Sequence, residues 1–241
     1  MTTIVLPALS GALNNVLDEN WRRHLVIDLD DLVLTPTLQE DDSRYIDEIR
    51  RDTERMAFRH PALDAVLNTY CMHMPCDGYI QGMNFIANVM LHRLGPQGAF
   101  WGLAKYMGTY RHYMPGIDKE GFINYAKIWN AYFLKFSDGK RKADEHYIMA
   151  LKWGVYLLSC NGSHHTTSIA DVHVLWDAMI VLPMRRWPEY TAAVAAVAVH
   201  RAMRSNRDEY DPRIMVSQLT FSNPKQLVRR ALRILNYASL E

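Results

Sequence analysis

Two short stretches of this sequence hold side chains suited to phosphate and water chemistry. The first is Ile49-Arg50-Arg51-Asp52-Thr53-Glu54-Arg55; the second is Gly78-Tyr79-Ile80-Gln81-Gly82-Met83-Asn84. An arginine presents a planar fork that donates two hydrogen bonds to phosphate oxygens and stays charged. A side-chain amide can accept one hydrogen bond from water and donate another to phosphate, so a glutamine can fix a water's direction. Asp52 lies three residues before Arg55, so on a helical turn it sits beside the arginine stem and can hold its rotamer. Arg51 lies four residues before Arg55, on the same face, and competes for any role given to Arg55. Gly82 permits close backbone approach next to Gln81. Tyr79 reads as a packing anchor for its turn, and Asn84 as a side chain able to bond the backbone between the two turns. Taken alone, an arginine in a D-x-x-R pattern is most often one half of a solvated ion pair.

The elements that must position these residues are helical. Leu63, Val66, Leu67, Tyr70, Cys71 and Met74 form one apolar stripe, which predicts a helix from Pro61 to Met74 that braces the arginine turn against the glutamine turn. Pro75-Cys76-Asp77-Gly78 is a turn by composition. Met83, Ile86, Ala87, Met90 and Leu94 predict a second helix, stopped at Gly95-Pro96. Upstream, Asp42 or Ser43 is suited to cap a helix bearing Tyr45, Ile46 and Ile49. Residues 26–34 read as loop and short helix, and Thr35 to Asp42 as an exposed loop. Downstream, helices are expected around Phe100 to Tyr110, Phe122 to Phe136, Ala143 to Leu158, Ile169 to Val181 with Ser168 as cap, Glu189 to Met203, and after Asn223-Pro224. The sum is an all-α domain of roughly ten to fourteen helices spanning residues 1–241, with 1–20 as a variable N-terminal segment.

The two runs resemble the paired signature motifs of TBC-domain proteins, the GTPase-activating proteins of Rab GTPases. The first motif, I-x-x-D-x-x-R, is met by Ile49, Asp52 and Arg55, with Met56 where the family usually has threonine. The second, Y-x-Q-G, is met by Tyr79, Gln81 and Gly82, followed by Met83 and Asn84. Val174-Leu175-Trp176-Asp177 resembles the family's helix with a Trp-Asp pair. The resemblance implies a multi-helical TBC-like fold. It also implies that Arg55 stabilises charge and Gln81 positions water, both supplied in trans to a small Rab-type GTPase. It gives Ile49, Asp52, Tyr79, Gly82, Asn84, Trp176 and Asp177 supporting places, Trp176 in the core and Asp177 capping or pairing. It implies no cofactor of the chain's own, since GTP and magnesium belong to the partner, and a place in vesicle trafficking. The other reading is a weak or inactive module of the same fold that grips a GTPase or trafficking protein as a scaffold. Met56 keeps that reading open, because methionine cannot cap the arginine turn as a hydroxyl can.

Composition removes other classes. With 241 residues the chain can bury a large core. A net charge of +1 gives no case for nucleic acid or an acidic membrane surface. Three cysteines do not make a disulfide framework, and no apolar run approaches the ~20 residues of a membrane helix. The expected setting is cytoplasmic, with membranes reached through the GTPase. Cys71 to Cys76 matches no zinc spacing, so no metal site is expected. Ser163, His164, His165 and Asp171 lack a nucleophile elbow and read as polar loop and helix start. No glycine-rich phosphate loop is present, so the chain itself should not bind nucleotide. Lys140-Arg141-Lys142 and Arg229-Arg230 read as solvated faces.

Overall fold

The computed structural model describes residues 19–25, 27, 30, 35–38, 44–74, 78–137, 147–159, 168–205 and 223–238. Among the described residues every regular element is helical, and nine are α-helices, just under the expected ten to fourteen. They are α1 (Glu19–His24), α2 (Ile46–Thr53), α3 (Leu63–His73), α4 (Met83–Tyr110), α5 (Lys119–Phe136), α6 (Tyr147–Met149), α7 (Ile169–Ile180), α8 (Trp187–Ser205) and α9 (Pro224–Ala238). The chain divides into two compact units, Met1–Arg111 and His112–Glu241.

In the first unit α3 is the hub, packed against α2 and, over most of its length, α4. The predicted stripe of α3 is buried at Leu63, Val66, Leu67, Tyr70 and Cys71, but Ala65, Asn68 and Thr69 are buried as well. A helix covered on nearly every side is a central element rather than a one-faced brace. Its start also differs from expectation. Pro61 lies in the preceding turn, because the ring of His60 takes the Ala62 N–H at 3.1 Å and Leu63 N–H returns to the His60 carbonyl at 3.0 Å. These bonds satisfy donors that a helix start leaves open. The stop expected at Gly95-Pro96 is a break within α4: Gly95 has φ 66 and ψ −179, a conformation open to glycine alone, and Pro96 resumes the helix. The helices expected on either side of that point are both present and meet there at a kink.

Residues 35–38 form no regular structure, but they are less exposed than expected. Leu38 is buried, and Trp101 Nε1 donates to Thr35 Oγ1 at 2.9 Å. The caps proposed at Asp42 and Ser43 lie outside the described residues, and α2 begins after Tyr45 with no side-chain cap.

The second unit is centred on α5 and α8, with α9 against α8 and α7. Alanine-rich α8 is buried continuously from Tyr190 to Val199, as its small side chains allow. Trp129, Trp153, Trp176 and Trp187 are all fully buried here. Within the aromatic run of α5, Tyr125, Trp129 and Phe133 face the core, and Trp129 stacks on Phe133 at 5.5 Å. After α6 the chain widens into a π-helical turn, Ala150–Val155, where a regular helix to Leu158 was expected. A Cβ on Gly154 would overlap the Trp129 indole, so glycine lets this turn lie on the ring. Ser168 caps α7 as predicted, accepting from Asp171 N–H at 3.2 Å. Residues 138–146, Cys160, His164, His165 and Ser163 lie outside the described set, as do Cys76 and most of 26–34.

Candidate functional site

All the candidate residues before position 100 meet in the first unit, at the C-terminal end of α2 and the N-terminal end of α4. Thr53 ends α2, and its hydroxyl donates to the Arg50 carbonyl at 3.2 Å, so the last turn is closed from within. Ile49, fully buried, anchors that turn to the core. Arg55 follows as an exposed residue. Its Nε donates to the Arg51 carbonyl at 2.7 Å, and one terminal nitrogen donates to Asp52 Oδ1 at 2.7 Å. The arginine side chain is 71% exposed and that of Asp52 only 11%. The fork therefore points to solvent while its partner is sheltered.

The second oxygen of Asp52 is also taken. Tyr79 OH donates to Asp52 Oδ2 at 3.0 Å, across 27 positions of sequence. Burial, reinforced by the Asp52 charge and this bond, holds the Tyr79 hydroxyl protonated well above the ordinary phenol range. Asp52 thus joins the arginine turn to the segment that leads into Gln81. Asn84 makes a second link: its Nδ2 lies 3.4 Å from the Asp52 carbonyl oxygen and 3.3 Å from Met56 Sδ. Its Oδ1 is buried with no hydrogen-bond partner among the described residues.

Gln81 is exposed, flanked by buried Tyr79 and Gly82 with half-buried Ile80 between. The backbone here needs glycine on both sides. Gly82 has φ 102 where it enters α4, and Gly78 has φ 60, both in the left-handed region that costs other residues. A Cβ on Gly78 would also strike the hydroxyl of Tyr45, so the residue lets the start of α2 close over this turn. Arg51 is set apart from Arg55 by its direction, because its Nε runs back along α2 to the Asp47 carbonyl at 3.1 Å. Trp176 and Asp177 belong to the second unit. Trp176 is fully buried and donates to the Leu157 carbonyl at 2.8 Å; Asp177 is half-buried. Asp177 lies within α7 rather than at its cap, and its charge adds to burial in holding the Tyr190 hydroxyl protonated.

Residues 31–187 match the family model of the Rab-GTPase-TBC domain. The chain belongs to this family. The match covers both signature runs and ends at Trp187, so it reaches from the first unit of the TBC chain into the second. A search of curated proteins returned no match. Cys71 of this TBC chain is buried, and burial with the nearby Glu48 charge pushes its thiol up to about 12, far from the reactive range.

Sequence reasoning left three participants unassigned. Tyr79 was taken as an anchor by packing, whereas its polar tip makes the link to Asp52. Gly78 was read only as part of a turn, with Tyr45 unmentioned beside it. Asn88, one helical turn beyond Asn84, went unremarked, although its buried amide bonds the chain that follows Arg55. The repeat of asparagine at i and i+4 on an otherwise apolar stripe was the available signal.

Proposed function

We propose that this chain accelerates GTP hydrolysis by a small GTPase of the Rab class, with Arg55 and Gln81 supplied in trans. The observation that carries the reading is the Asp52 bridge. One sheltered carboxylate receives both the exposed Arg55 and the tyrosine two residues before the exposed Gln81. Two turns distant in sequence are thereby fixed to each other while Arg55 and Gln81 both remain exposed.

The chemistry follows from the groups present. Arg55 gives one N–H to Asp52 and one to the Arg51 carbonyl, and the guanidinium has further donors for phosphate oxygens. Asp52 and the carbonyl fix the fork before the partner arrives, so less rotamer freedom remains to be lost on binding. Charge that builds on the transferring phosphoryl group is met by this preset cation, a contribution worth about 10³ to 10⁵ in rate. Gln81 accepts a hydrogen bond from the attacking water at its carbonyl oxygen and donates one from its amide nitrogen to phosphate, which sets the line of attack. Magnesium and nucleotide travel with the partner, and the chain needs no cofactor of its own. Contact with membranes follows from the GTPase.

One observation favours the second reading, a module that grips the GTPase with little catalysis. Among the described residues no donor reaches Asn84 Oδ1, and Met56 meets the other end of that amide only with its thioether, a weak acceptor. The test is phosphate release from a panel of GTP-loaded Rab GTPases. The catalytic reading expects release to rise with the wild-type chain and to return to the intrinsic rate with Arg55→Ala or Gln81→Ala. Binding that persists while neither change alters the rate establishes the scaffold instead.

A further inference from the structure

The segment after Arg55 is held by a side chain to which nothing so far gives a role. Asn88 on α4 is 3% exposed. Its Oδ1 accepts from the His60 backbone N–H at 2.8 Å, and its Nδ2 donates to the Phe58 carbonyl at 2.8 Å. One amide therefore pairs with backbone on both sides of Arg59, as the edge of a strand would, in a stretch with no strand to do so. Asn84, Asn88 and His92 succeed one another at four-residue spacing on α4. They follow the crossing chain in order: Asn84 at Asp52 and Met56, Asn88 at Phe58 and His60, and His92 with Nε2 3.4 Å from the Phe58 carbonyl oxygen. Arg59 is pinned separately to Asp64 at 2.6 Å.

What this clasp presents is an aromatic ring. Phe58 is 37% exposed, although rings of this size are usually covered. It stands three residues beyond Arg55, in the next exposed turn. A large apolar side chain kept in water by a rigid backbone is the form of an interface anchor, whose ordering is complete before the partner comes. We propose that Phe58 is a docking residue for the GTPase that receives Arg55, and that Asn88 is the positioning residue that holds it there. The inference rests on the proposed function for the identity of the partner, but not on catalysis. The surface it meets on the GTPase is apolar and lies beside the nucleotide site, because Phe58 is only three residues from Arg55.

The experiment reads affinity rather than rate. The full chain is titrated against Rab GTPases loaded with a non-hydrolysable GTP analogue. Phe58→Ala should weaken binding about tenfold, whereas Phe58→Leu should stay within about threefold, because it keeps an apolar contact. Asn88→Leu, close in shape but without either hydrogen bond, should weaken binding in the wild-type background and add nothing once Phe58→Ala is present. That non-additivity is the signature of one acting through the other. Thermal unfolding of each variant shows that the chain remains folded; Phe58→Ala alters an exposed site and carries the test if Asn88→Leu does not fold. Affinity within twofold of wild type for Phe58→Ala overturns the proposal, as does equal loss from Asn88→Leu in both backgrounds. If the wild-type chain binds no Rab GTPase, the partner and the docking residue fall together. If it binds without accelerating hydrolysis, only the catalytic reading fails.

Discussion

Asp52 concentrates the argument at the scale of single residues, because each of its oxygens serves a different turn. Its pairing with Arg55 is exposed on the arginine side, so its worth lies in direction rather than in stability. Direction is what lysine cannot reproduce: it carries the charge as a point and has no planar fork. Arg55→Lys should therefore leave the rate on a responsive Rab GTPase close to that of Arg55→Ala, with both about 10³-fold or more below wild type. Single-turnover phosphate release at saturating chain measures this, and recovery by lysine to near the wild-type rate would refute the fork. The adjoining defect points the other way. A buried amide oxygen without a donor costs about 1–3 kcal/mol. Met56→Thr exchanges the sulfur that meets Asn84 Nδ2 for a hydroxyl that can accept from that nitrogen or, with the amide turned over, donate to its oxygen, so it should raise the unfolding free energy by about 1 kcal/mol and increase the hydrolysis rate. Denaturant unfolding and the same phosphate assay decide it; a gain is hard to mistake for general damage. The pairing of Asp52 with Arg55 was legible in the sequence because helical spacing relates positions three apart, whereas Gln81 was singled out by the family resemblance alone. The Tyr79–Asp52 bond was not, since its ends are 27 residues apart and only the fold brings them together.

At the scale of elements, the site depends on how α2 and the turn before α4 interlock. Gly78 carries two demands at once: a left-handed φ of 60 and the space filled by the Tyr45 hydroxyl. Gly78→Ala should destabilise the chain by about 1–3 kcal/mol from the backbone alone, with the collision added. Tyr45→Phe removes the atom in the way, so in the double variant part of the loss should return while the backbone share remains. Chemical denaturation of the four chains of this cycle gives the coupling, and strict additivity would show that the two residues do not meet. The elements themselves were mostly legible. The apolar stripes of α3 and α4, the Ser168 cap and the start of α9 at Pro224 follow from periodicity and capping. The misread places have common physical causes. Pro61 looked like a helix start, but a histidine ring closes the turn one step later. The stop at Gly95-Pro96, by contrast, follows the local signal: Gly95 leaves the helical conformation and Pro96 opens the next helical stretch, where proline is tolerated. The π-helical turn at Ala150–Val155 answers to the Trp129 ring beneath Gly154, a tertiary contact that no local pattern carries.

At the scale of the whole molecule, the first unit ties its acid tolerance to the same segment that carries the site. Among the described residues no helix is long and apolar enough to cross a membrane. His60, half-buried just ahead of α3, is a titratable group of that segment. Its Nδ1 accepts the Ala62 N–H, which requires that nitrogen to be unprotonated, and its ring meets that of His92 edge-on at 5.0 Å. Burial first, and the facing His92 second, lower its pKa from the ordinary 6.5. In the unfolded chain the same ring takes a proton near 6.5, so below that pH the unfolded state binds more protons than the folded one. The stability tied to His60 is therefore complete above about 6.5 and is lost as the pH falls through that value toward the lower folded one. His60→Asn keeps an acceptor near the Ala62 N–H and removes the titration. The melting temperature of the wild type should fall more steeply between pH 7 and pH 5.5 than that of His60→Asn, with the two curves closest in slope above pH 7. Parallel curves across the whole range would mean that the ring takes its proton as easily inside the fold as outside it. The segment after Arg55 would then owe nothing to a neutral histidine. Because that segment also carries Phe58, the same acid step should loosen partner binding before it unfolds the unit, and affinity measured at pH 6 against pH 7.5 would show it.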